Sequence, residues 1–203
     1  MAPARVIRKD APMPRNLIVY GLAALAGLVV YWVLRTVLGP GIVTLLALVG
    51  LVVGIVIVTR NLRTNRQVAE ATFQQRDEAL TFTPVPGKAV LYVFRNQFVG
   101  RAVGINVVID GREAAQLKSP RFTRILLTPG AHRIAGYTGT NKAPAPGEGT
   151  ELIANAGDVY VAKCEVEPQM VGATIKFTPM SVDAARADLQ KITRMVVPDV
   201  AEI

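Results

Sequence analysis

Residues 17–34 read LIVYGLAALAGLVVYWVL and residues 42–58 read IVTLLALVGLVVGIVIV, and neither run holds a charge. As a helix, each run covers roughly 26 Å, close to the hydrocarbon thickness of a bilayer once its flanks are added. Lipid offers backbone amides no partner, so a spanning segment satisfies its own N–H and C=O groups by becoming helical. Little more than the turn Gly39-Pro40-Gly41 separates the runs. The expectation is an α-helical transmembrane hairpin over residues 17–59, preceded by a basic tail over 1–16. A cleaved signal peptide would stop near Ala24-Leu25-Ala26, but the apolar run continues to Leu34, so a retained helix is expected. No Cys follows the run to carry a lipid anchor.

Charge sets the orientation. The chain has 203 residues and a net charge of +8. Arg5, Arg8, Lys9 and Arg15 precede the first run against Asp10, Arg35 ends it, and Arg60, Arg63 and Arg66 follow the second. Basic residues close to span ends resist translocation, so both termini are expected in the cytoplasm of a two-pass bacterial inner (plasma) membrane protein. From residue 61 onward, 17 basic residues face 14 acidic ones. That small excess argues against a nucleic-acid partner, which needs clustered charge in the folded domain. Membrane lipids are the expected partner of the basic flanks.

Inside the spans, Gly50 and Gly54 form a GxxxG, and Ala23 and Gly27 repeat the small-residue spacing. Small residues four apart let helix backbones approach closely in lipid, either within the hairpin or across a homo-oligomer seam. No ionisable residue lies within either span, so an ion path through the bilayer has no candidate.

Residues 60–86 are expected to be a helical stalk and linker, because 60–80 lacks Gly and Pro and the breaker Pro84-Val85-Pro86-Gly87 follows. Residues 87–203 then change period. Residues 89–94 (AVLYVF) are apolar on both faces, as in a central strand. Val103, Ile105, Val107 and Ile109 alternate with smaller or polar residues, and Asp110-Gly111 marks a hairpin turn. Further strands are expected over 113–117, 121–128, 131–138, 151–154, 158–167 and 171–177, with a turn at Pro129-Gly130 and a loop over 139–149. Short strands with frequent turn signals predict an all-β antiparallel sandwich. One C-terminal helix closes it, capped by Ser181, with Val182, Ala185, Leu189, Ile192 and Val196 on one stripe.

The order of motifs resembles a known family. Residues 89–95 look like its opening strand ending in an aromatic and an Arg. Residues 107–111 (VVIDG) look like its Asp-Gly hairpin, residues 127–132 (LTPGAH) like its Pro-Gly-x-His turn, and residues 156–160 (AGDVY) like its Ala-Gly-x-x-Tyr strand start. Over residues 87–195 the chain is similar to the bacterial domain of unknown function 2846 family, related in style to PEGA-type surface modules. The resemblance implies a small β-sandwich and brings no reaction with it. It implies export or lipid anchoring for many members, whereas the charges flanking the spans here favour a cytoplasmic domain.

No catalytic, cofactor or metal set stands out. His132 is the only histidine, expected to be structural in its turn with Asp110, Gly111, Pro129 and Gly130. Cys164 is the only cysteine and is expected on the buried face of its strand with Tyr160, Ala162 and Val166. Neither Ser119 nor Ser181 sits in a nucleophile-type turn. The basic residues Arg95, Arg101, Arg112, Lys118, Arg121 and Arg124, with Phe98 among them, form the expected lipid or partner face. Three classes of function follow: a non-enzymatic membrane-anchored interaction or scaffold module, alone or in a larger protein complex; a lipid or small-ligand binding protein; and, least favoured, a hydrolase. The first is the expectation, with no cofactor.

Overall fold

A computed structural model of the protein describes residues 15–98, 100–139, 143–145, 147–168 and 173–203. The basic tail up to residue 14, Val99, part of the 139–149 loop, and Val171 and Gly172 of the last expected strand lie outside the described residues. The chain divides into a helical unit ending at Val56 and a second unit, Ile57–Ile203.

Helix α1 is Arg15–Leu38 and α2 is Pro40–Arg63. Among the described residues, the Pro40–Arg60 stretch is the one helix long and apolar enough to cross a membrane. From Leu45 to Val58 its large apolar side chains are all between 48 and 62 % exposed, and Val43 near its start is buried, so no protein core covers the stretch from Leu45 onward. A helix apolar all round needs an apolar surrounding.

The connection differs from the expected three-residue turn. Gly39 alone takes a left-handed φ of 80°. Pro40 then starts α2, where its fixed φ suits the first helical position and its missing N–H costs nothing. Gly41 is already helical. A Cβ added at Gly27, Gly50 or Gly54 would meet nothing within 4 Å, so these three glycines are not points of close backbone approach within the chain. Ala23 lies in α1, and the side-chain description begins beyond it at Leu25.

The expected stalk helix is also broken. α2 ends at Arg63, residues 64–71 run as a strap, and a separate helix α3 (Phe73–Ala79) follows. Thr72 caps α3: its hydroxyl accepts from the Gln75 N–H, and the Gln75 carbonyl oxygen accepts from the Thr72 N–H. This reciprocal capping box fixes a helix start that helix-forming composition conceals.

Among the described residues nine strands follow: β1 (Ala89–Arg95), β2 (Ile105–Ile109), β3 (Arg112–Leu117), β4 (Arg121–Leu127), β5 (Gly130–Thr138), β6 (Thr150–Ala154), β7 (Val159–Pro168), β8 (Ala173–Met180) and β9 (Met195–Val196). They form a five-stranded sheet, β8-β7-β1-β4-β9, and a four-stranded one, β3-β2-β5-β6. The sandwich is therefore present, but its larger sheet is mixed: β1 runs parallel to β7, and β4 parallel to β9.

Residues 89–94 are buried on both faces because the sheet is a middle layer. Ala89, Leu91 and Val93, with Ile125 and Leu127 of the neighbouring β4, face the second sheet and its Ile105 and Val107. Val90, Tyr92 and Phe94 face outward, against Ala79 and Phe82 and helix α4 (Val182–Lys191) through Ala185 and Leu189. Ser181 caps α4 as expected, accepting from the Ala184 N–H. The helix stops before Val196, because Met195–Val196 pairs with Phe122 and Thr123 as β9 instead. The strap closes the edge beyond β9, with the Ala71 N–H donating to Met195 O and the Val197 N–H to Ala69 O. That pairing blunts an edge that would otherwise invite another strand.

Candidate functional site

The β1–β2 connection, residues 96–104, carries an exposed aromatic on a fixed base. Arg95 ends β1 and is fully buried; its guanidinium donates to the carbonyls of Val103 at 2.6 Å and Gly100 at 2.9 Å. Burial lowers its pKa from the ordinary arginine value. Gly100 meets the guanidinium with a φ of 66°, a conformation glycine adopts without strain. Gln97 pairs with the backbone of Val166, donating to its carbonyl and accepting its N–H, both at 2.8 Å. Asn65 holds the far side, donating to Ala102 O at 2.9 Å and accepting the Gly104 N–H at 2.7 Å. At the tip Phe98 remains 78 % exposed, with the Arg101 guanidinium 5.9 Å from its ring centre. With Val58 and Leu62 of α2, these residues line an open apolar cleft of about 330 Å³.

The same end of the domain receives the chain from α2, and that junction is stitched rather than loose. Gln116 on β3 is buried and accepts the Arg66 N–H at 2.7 Å, while its amide donates to Thr64 O at 3.2 Å and Asn106 Oδ1 at 2.8 Å. Arg66 pairs with Glu113 at 3.2 Å and Asp199 at 3.0 Å. A Cβ at Gly104 would come within 2.8 Å of both Gln116 and Asn65, so the junction closes only on glycine. None of Asn65, Gln97, Asn106 or Gln116 stands out by type or spacing. The one local signal is a polar amide at 106 and at 116 on strands that are otherwise buried.

The expected basic face does not assemble as one surface. Arg95 is excluded from it by burial, since it continues the inward row of β1. Arg112 lies at the other end of the β2–β3 hairpin, beside Asp110 and Gly111. Arg124 points from the outer side of β4, opposite Tyr92. Arg121 is mostly covered and pairs with Glu70 at 2.8 Å. What the fold brings together is Phe98, Arg101 and Lys118, the last through the Ser119 N–H bonded to Arg101 O at 3.1 Å. Arg60 and Arg63, in the last turn of α2, belong to the same end.

At the opposite end, His132 is buried and bonds Asp110 Oδ2 through Nδ1 at 2.6 Å and Thr128 O through Nε2 at 2.7 Å. Asp110 turns with a φ of 50°, followed by Gly111 at 79°, and its second oxygen accepts the Arg133 N–H. Both ring partners are acceptors, so the geometry favours the doubly protonated ring. Burial works against that charge, but the bonds to Thr128 and Asp110 outweigh it and raise the His132 pKa above its usual value.

Cys164 is fully buried in the row of Ala162 as expected, and burial pushes its thiol up to about 12. Glu165 and Glu167 are paired with Lys163 and Lys176. Among the described residues no three His, Cys, Asp or Glu side chains gather as a metal set. A cleft of about 540 Å³ opens between β5, β8 and residues 143–145 and 148–150, lined by Tyr137 and Ile175 and reaching Ile134 and Phe177 of the core. Compared with family models, curated proteins and solved structures, the chain matches none.

Proposed function

We propose that this protein is a non-enzymatic, membrane-anchored β-sandwich that works as an interaction or scaffold module. In this reading α1 and α2 both span the bacterial inner membrane, and both termini face the cytoplasm. The observation that carries it is the junction: an apolar helix exposed from Leu45 to Val58 runs on into Thr64, Asn65 and Arg66, which bond to Gln116 of β3 and to Ala102 and Gly104 before β2, in a sandwich with two buried apolar cores. The motif order similar to the domain of unknown function 2846 family belongs to the same proposal, because that resemblance also brings a β-sandwich and no reaction.

Gly27, Gly50 and Gly54, open within the chain, leave their faces available to another helix, so the module is proposed to form a homo-oligomer or a stable complex with another membrane protein. Extraction of cell membranes with alkaline carbonate, followed by purification in mild detergent, tests both parts. The chain should stay in the membrane and emerge with a second copy or a stoichiometric partner, and Gly50→Ile with Gly54→Ile should release it. Release by carbonate would overturn the anchoring. A monomer without partner before and after the double substitution would overturn the scaffold reading.

A further inference from the structure

Phe98 is an exposed aromatic that the fold holds in place instead of burying. The loop beneath it is fixed by the Arg95 guanidinium, the Gln97 amide and the Asn65 amide, six hydrogen bonds to backbone in all. Ordering a loop costs conformational entropy, and here that ordering presents a phenyl ring to solvent.

The neighbours fix its depth. Phe98 lines its cleft together with Val58 and Leu62, the last apolar residues of α2. If α2 spans a bilayer, residues 58–62 cover roughly 6 Å of its normal, about the thickness of one headgroup layer. Phe98 must then lie at that same level. Beside it stands Arg101, with Lys118 next in sequence to the Ser119 N–H that bonds Arg101 O, while the carboxylates of Glu165 and Glu167 are already paired with lysines.

We infer that Phe98 and the turn 100–103 form a lipid foot: Phe98 inserts into the headgroup layer of the membrane that α2 crosses, and Arg101 and Lys118 bind anionic phospholipid headgroups there. The inference rests on the membrane-anchored reading above and adds a second contact to it.

The test uses the full chain, reconstituted in phosphatidylcholine vesicles with and without phosphatidylglycerol. Cys164 is fully buried, so a cysteine introduced elsewhere is the accessible thiol. Phe98→Cys, Val52→Cys and Ile153→Cys are each labelled with an environment-sensitive fluorophore and read against nitroxide lipids carrying the quencher at shallow or deep positions. Val52 reports the span, and Ile153, exposed on β6, reports the aqueous side. The expected result is deep quenching at 52 and little at 153. At 98, quenching is shallow and increases with phosphatidylglycerol, and the increase is lost with Arg101→Glu and Lys118→Glu. Absence of deep quenching at 52 would overturn the anchored reading itself. Deep quenching at 52 with position 98 no more quenched than 153 would overturn the foot alone. Shallow quenching at 98 that ignores phosphatidylglycerol would overturn the assignment of Arg101 and Lys118 to anionic lipid.

Discussion

His132 joins two turns by giving one N–H to Asp110, 22 residues before it, and the other to Thr128 O. An imidazole keeps both bonds only while it is protonated. Its pKa is raised in the folded chain, so its contribution to stability is fully present below the unfolded value of about 6.5. That contribution is lost as pH rises through the folded value. His132→Gln should therefore cost about 1–3 kcal/mol at acidic pH, the usual result of breaking a buried hydrogen bond. The gap between wild type and variant should narrow in alkali, as read by denaturant melts near about pH 5.5 and about pH 9. The turn role of His132 was legible from Pro129-Gly130 beside it, since that turn sequence brings a following side chain back toward its own loop. The burial of Arg95 was not. Alternation gives the face of a strand residue, but only the folded loop supplies the carbonyls of Gly100 and Val103 that let a guanidinium sit inside.

The strap 64–71 is the element on which the two halves of the chain depend. It carries no helix and no strand, yet Thr64, Asn65 and Arg66 bond to Gln116, Ala102 and Gly104. Gly104→Ala tests that clamp: its new Cβ would meet Gln116 and Asn65 at less than 3 Å, forcing one of them to move. Overpacking of this kind costs about 1–3 kcal/mol, visible as a lowered melting temperature, whereas an unchanged melt would mean the strap is not held there. The strand positions were readable because period-two burial and Gly turns act locally. The strap was not, because its residues satisfy themselves on partners 37 to 133 positions away. The same reason hid the parallel pairing of β1 with β7: register between distant strands leaves no mark on the alternation of either one. At the other end of the helical pattern, Thr72 and Gln75 spelled a capping box inside a stretch rich in helix formers, and the composition outweighed the signal.

At the scale of the whole molecule, the second unit begins well before the first strand. A chain starting at Thr64 keeps the strap and α3, and should fold in solution with a cooperative melt. One starting at Gly87 loses Ala79 and Phe82 from the outer core and the cover of β9, and should aggregate or melt without a clear transition. Equal behaviour of the two would show that the strap and α3 are accessories. The apolar character of residues 17–58 was legible at once, since no water-facing pattern interrupts it. How α1 and α2 meet was not, because apolar surface specifies no particular neighbour. The central claim is that the helices cross the inner membrane as a pair and leave the sandwich in the cytoplasm. Paired C-terminal fusions to alkaline phosphatase, active only after export, and to green fluorescent protein, fluorescent when it folds in the cytoplasm, measure this directly. A fluorescent fusion with an inactive phosphatase is the predicted result, and strong phosphatase activity with a dark fluorescent fusion would contradict it.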